Sequence, residues 1–238
     1  GESAHILLSQ TDGTYINSEV GGTERAYAHG SSAADINDDG NVDIVLADIR
    51  YEGCNRPIRF LMGRGDGTFT TDTSRIALIY ANYNSCAFWS AELIDVDDSG
   101  SPSLLVGGSE QNSISIQDKV PTLIFKNVNG YYSATPTVIP SLDAVSSREN
   151  IVLDFIALKN SLYVLRTMEA YMGGTTIQKV DLKTLQSVVV YTHTGSYEIR
   201  DAENVVIGGN PATWIDFMTI RNGYIVSVDS DFGLDLMP

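Results

Sequence analysis

Asp35-Ile36-Asn37-Asp38-Asp39-Gly40-Asn41-Val42-Asp43 is the strongest local pattern in the chain. It runs directly into the apolar series Ile44-Val45-Leu46-Ala47. Oxygen-bearing side chains stand at positions 1, 3, 5 and 9 of this stretch, as Asp35, Asn37, Asp39 and Asp43. Gly40 takes position 6, where a sharp bend is needed, and Asn41 at position 7 has a backbone carbonyl to offer. Calcium gathers six to eight oxygens in a flexible shell, and this spacing predicts a loop that holds it. The alternative is an Asx-rich turn closed by bonds from side chain to backbone.

Sixty residues on, the pattern returns as Asp95-Val96-Asp97-Asp98-Ser99-Gly100-Ser101-Pro102-Ser103, followed by Leu104-Leu105-Val106. Here Asp95 and Asp97 keep their carboxylates while Ser99, Ser101 and Ser103 fill the later positions, so weaker cation binding is expected. Two fainter copies follow. Leu153-Asp154-Phe155 leads to Asn160, and Ile215-Asp216-Phe217 leads to Asn222-Gly223, each ahead of an apolar run. The lead aspartates 35, 95, 154 and 216 are spaced 60, 59 and 62 apart. A fixed period of this kind marks a repeat architecture.

A second marker recurs about 30 residues after the first. Phe60-Leu61-Met62 precedes Gly65-Asp66-Gly67-Thr68-Phe69, and Leu123-Ile124-Phe125 precedes Asn129-Gly130-Tyr131. Asp-Gly and Asn-Gly between apolar runs predict hairpin turns. Ile6-Leu7-Leu8 before Thr11-Asp12-Gly13-Thr14-Tyr15 copies this marker with no inner loop ahead of it, and residues 216–236 supply inner strands with no outer hairpin after them. Counting from Asp216 through Pro238 and on from Gly1 to Asp35 gives 57, which matches the other spacings. The expectation is an all-β, single-domain β-propeller over 1–238. It has four blades of four antiparallel strands, at about 24–80, 81–140, 141–200, and 201–238 joined with 1–23. The N- and C-terminal strands share the last blade. A larger propeller split across chains would show the same period.

An EF-hand would need Glu at position 12 and helices on both flanks, but position 12 is Leu46 in a β-type run. The motif Asp35, Asn37, Asp39, Gly40, Asp43, with Gly65-Asp66-Gly67-Thr68-Phe69 as outer hairpin, resembles the FG-GAP/VCBS repeats of integrin α-chain propellers and many secreted bacterial proteins. The match is closest in the first unit. The resemblance implies a secreted or cell-surface module that recognises a glycan or a surface or matrix protein. On that reading calcium is structural and no reaction is catalysed. A carbohydrate-active lyase or hydrolase is the competing reading, because sugar hydrolysis needs two opposed carboxylates.

Thirty acidic against 15 basic residues give a net charge of −15, which argues against nucleic acid and anionic membranes as partners. No stretch approaches the roughly 18 apolar residues of a membrane span, and a monomer in an extracellular or periplasmic compartment is expected. Cys54 and Cys86 fall near one blade boundary in this scheme, either as a disulfide or as buried thiols. Fifteen residues after each lead aspartate come Arg50, Glu110, Glu169 and Asp231. They form either a ligand-binding ring of charge, with Glu110, Glu169 and Asp231 as the acid/base candidates of an enzyme, or solvated strand ends. Tyr51 and Tyr83 are candidates to face a ligand, while Phe88 and Trp89 are expected to fill the core. Long loops that could carry binding are expected at 107–121 and 195–212.

Overall fold

A computed structural model describes residues 3–20, 28–48, 58–76, 88–108, 110, 120–141, 151–167, 175–193, 198–200, 206–209, 215–229 and 233–236. Among them the chain forms strands and turns and no helix. A hairpin, β1 (His5–Ser9) and β2 (Tyr15–Glu19), comes first. The antiparallel meander β3 (Ala28–Ala34), β4 (Asp43–Asp48), β5 (Ile58–Gly63) and β6 (Phe69–Asp72) follows. The next sheet holds β7 (Phe88–Ile94), β8 (Ser103–Gly108), β9 (Leu123–Phe125) and, past the small hairpin β10 (Asn127–Val128) and β11 (Tyr131–Tyr132), β12 (Thr137–Val138). A third meander runs β13 (Ile151–Leu158), β14 (Ser161–Thr167), β15 (Thr175–Asp181) and β16 (Ser187–His193). The pair β17 (Glu198–Arg200) and β18 (Val206–Gly209) precedes a three-stranded sheet, β19 (Ile215–Arg221), β20 (Tyr224–Asp229) and β21 (Gly233–Leu236). The stretch 195–212, expected as loop, therefore contains two strands. Their β-branched residues Ile199, Val206 and Ile207 favour an extended chain.

Three strands share one backbone feature. β3, β13 and β19 each carry a bulge five residues before their last residue, at His29, Leu153 and Asp216. The turns at Asp12 and Asp66 also agree bond for bond. Thr14 N and Oγ1 both donate to Asp12 Oδ1, at 2.9 and 2.7 Å, and Thr68 N and Oγ1 donate to Asp66 Oδ1 at 2.9 and 2.6 Å. The strands end at Ala34, Ile94, Leu158 and Arg221. This corrects the placing of the two faint copies: Asp154 and Asp216 lie inside β13 and β19, not at the start of a loop. In both, the acidic loop has shrunk to a tight turn, Lys159-Asn160 with Lys159 at φ +57° and Asn222-Gly223 with φ of +52° and +80°.

The chain divides into two compact units, Gly1–Val106 with Ile124–Thr137, and Gly107–Leu123 with Val138–Pro238. In the first, Val20, Leu46 and Leu61 form a core with Ile6, Ile44 and Phe69 packed on it, and Phe60 stacks on Tyr132 at 5.4 Å between ring centres. β3 runs against β7 so closely that a Cβ on Gly30 would lie 2.6 Å from the Ala91 nitrogen, so only glycine fits there. Leu93 N donates to Ser32 Oγ at 3.1 Å across the same contact. In the second unit Leu165, Ile177, Met218 and Ile225 form the core. There the buried Asp154 carboxylate takes the Met218 amide, linking β13 to β19.

Candidate metal centre

The loop joining β3 to β4 is drawn shut by its own carboxylates. Asp35 accepts from Asp39 N at 3.1 Å and from Gly40 N at 2.8 Å. Asp39 accepts from Asn41 N at 2.8 Å and from Asn37 Nδ2 at 3.0 Å. These bonds hold the exposed Asp39 carboxyl below its ordinary range. Asp43, fully buried, takes Ile36 N at 3.0 Å and Gly63 N at 2.8 Å. Burial nevertheless raises its carboxyl above the ordinary value. Asp38 and Gly40 sit at φ of +59° and +83°, and their alternation with ordinary backbone turns the loop inward.

The β7–β8 loop follows the same path. Asp98 and Gly100 have φ of +55° and +85°. Ser99 N and Gly100 N donate to Asp95 at 3.0 and 2.8 Å, and Ser101 N donates to Ser99 Oγ at 3.3 Å. Two things differ. Ser103 replaces Asp43, and its buried hydroxyl has no partner. Lys126, next after β9, places Nζ 2.9 Å from Asp97 Oδ2.

Among the described residues no three or more His, Cys, Asp or Glu side chains are gathered in the geometry of a metal site. The donor set of the first loop still fits a hard cation. Each carboxylate oxygen that accepts one N–H keeps a further lone pair. Asn37 Oδ1, at position 3, is buried without any partner. An orphaned oxygen among carboxylates is what a cation would satisfy. Asp35, Asn37, Asp39, Asp43 and the Asn41 carbonyl are the groups that would hold it.

The β10–β11 turn covers one side of this loop. Asn127 Nδ2 donates to the Ile36 carbonyl at 2.8 Å, and Gly130 abuts Asn37, where a Cβ would lie 3.0 Å from the Asn37 Cβ. Arg75 Nη1 donates to the Gly130 carbonyl at 2.8 Å, and its charge acts on both Asp39 and Asp43. Neither Arg75 nor Lys126 was suggested by the loop motif. The cue lay in the outer-marker alignment, where Lys126 stands opposite Gly63.

Of the expected ring, Glu110 alone is among the described residues, and it is no solvated strand end. It is 8% exposed and paired with the wholly buried Arg166, and Thr122 Oγ1 donates to its other oxygen. Arg50, Tyr51, Cys54, Tyr83, Cys86, Glu169 and Asp231 lie outside the described residues. Phe88 is buried, and the half-buried Trp89 meets His29 edge to face at 4.6 Å.

No family model matches the chain, and neither does any curated protein. Among solved structures, the computationally designed Ika4 protein aligns with 92% of this chain and 94% of its own. The identity is 12% and the TM-score 0.43.

Proposed function

We propose that the chain is a calcium-stabilised β-propeller of FG-GAP/VCBS type, working as a secreted or surface-displayed binding module for a glycan or a surface protein. The observation that carries this reading is the buried, unpartnered Asn37 Oδ1 in a loop whose path recurs in the next sheet. Four meandering sheets begin with β3, β7, β13 and β19, and the β1–β2 hairpin copies the β5–β6 turn without inner strands of its own. The circle closes when β1–β2 completes the sheet of β19–β21. Calcium holds the loop, and recognition falls to the loops of the scaffold. The binding reading is preferred to catalysis because Glu110, one of the carboxylates a sugar-cleaving site would use, is held by Arg166 and Thr122.

Thermal unfolding in EDTA and in calcium tests the metal. The expected outcome is a midpoint higher in calcium, with the gain abolished by Asp39→Asn. Equal midpoints in the two buffers would remove the metal from the reading. A glycan array probed with and without calcium tests recognition. Hydrogen exchange tests closure: amides facing away from β2 along residues 5–9 should be protected, and fast exchange at every other residue would leave β1 at an open edge.

A further inference from the structure

We propose that Lys126 is the cation of the second loop, a tethered ammonium standing where the first loop is left free to take calcium. The two loops share their positive-φ residues and their bonds from backbone to position 1. They therefore present the same framework with different charges. In the second loop positions 5 and 9 have lost their carboxylates, leaving Asp95, Asp97 and Asp98. Lys126 Nζ lies 2.9 Å from Asp97 Oδ2, at position 3.

The first loop has no room for such a residue. Aligning Phe60-Leu61-Met62-Gly63 with Leu123-Ile124-Phe125-Lys126 puts Gly63 at the point Lys126 occupies. The Gly63 amide donates to Asp43, and a Cβ there would lie 2.2 Å from the Val42 carbonyl oxygen. No side chain can enter from that point, and the position 3 oxygen of the first loop, Asn37 Oδ1, is unpartnered. One loop has a lysine and fewer carboxylates; the other has more acid and a glycine. Charge and space have changed together, as expected if one cation replaces the other.

The metal arm of the test rests on the calcium reading of the first loop; the lysine arm does not. Thermal unfolding of the full chain is followed for wild type, Lys126→Gln and Lys126→Arg, each in EDTA and in calcium chloride. In EDTA, Lys126→Gln should lower the midpoint by about 2–4 °C, and Lys126→Arg, which keeps the charge, should restore most of it. Calcium should raise the midpoint of Lys126→Gln by more than that of wild type, because the vacated loop can then take the ion. A Gln variant that melts with wild type in EDTA overturns the proposal, as does an Arg variant no better than Gln or, where calcium raises the wild-type midpoint, a Gln variant that gains no more from it. Wild type indifferent to calcium would instead fail the first loop's reading, with the EDTA comparison left to decide Lys126.

Discussion

Asp43 and Ser103 hold position 9 of their loops, and both are buried. Asp43 satisfies two amides, Ile36 N and Gly63 N, while the Ser103 hydroxyl satisfies none. Asp43→Ala should therefore cost about 2–5 kcal/mol, since it strands two donors. Ser103→Ala should fall within about 0.5 kcal/mol of wild type or stabilise slightly, since it removes an unpaired hydroxyl. Urea unfolding in EDTA measures both, and similar losses would contradict the bonding described. Asp154 gives a pH signature of its own. Burial raises its carboxyl from 3.8 to about 6, against the pull of the Met218 and Phe155 amides. Between these values the folded chain keeps a proton that the unfolded chain has released, so stability falls as pH rises. The contribution is whole below the unfolded value and lost above the folded one, about 3 kcal/mol in all. Asp154→Asn abolishes this titration. The stability of wild type relative to the variant should decline by that amount from about pH 4 to about pH 7, and a constant difference in urea unfolding would refute it.

At the scale of elements, the buried Arg166 joins β14 and β15 to the segments around Glu110 and Pro140. Its Nε and Nη2 donate to Gln178 Oε1 at 3.0 and 2.7 Å, Nη1 pairs with Glu110, and Gln178 Nε2 donates to the Pro140 carbonyl at 2.9 Å. Arg166→Met or Glu110→Leu alone leaves a buried charge without its partner and should cost about 3–5 kcal/mol. The double variant should cost less than either single one, because no charge remains to be desolvated. Additive losses in urea unfolding would speak against a buried pair. Nothing local announces this link, since Glu110 and Arg166 are 56 residues apart and neither lies in a stretch whose pattern points to the other. The loops and outer turns were legible because their cause is local: Asp-Gly and Asn-Gly tolerate positive φ, and an aspartate at position 1 caps amides four and five residues on. Strand positions of Asp154 and Asp216 were not, because an aspartate ahead of an asparagine turn looks the same whether it begins a loop or fills a bulged strand. Lys126 was missed for a like reason: its partner, Asp97, lies 29 residues back.

Across the whole molecule the acidic excess sets a further expectation. The net charge is −15, and seven aspartates fall within the two loop stretches 35–43 and 95–103. Folding draws these charges together, so the compact state bears more self-repulsion than the unfolded one. Screening should relieve it: the Debye length falls from about 30 Å at 0.01 M salt to about 10 Å at 0.1 M. In EDTA the melting midpoint should rise as sodium chloride is raised over that range. Chloride is the salt to use, because sulfate would also strengthen apolar burial and confuse the cause. If surface ion pairs such as Lys126–Asp97 outweighed the repulsion, salt would lower the midpoint instead, so the sign of the slope decides between them. Calcium supplies a discriminating control. An ion held by the first loop neutralises part of the same charge locally, so the salt-dependent gain should be smaller in calcium than in EDTA. Parallel slopes in the two buffers would mean that the acidic loops are not where the repulsion resides.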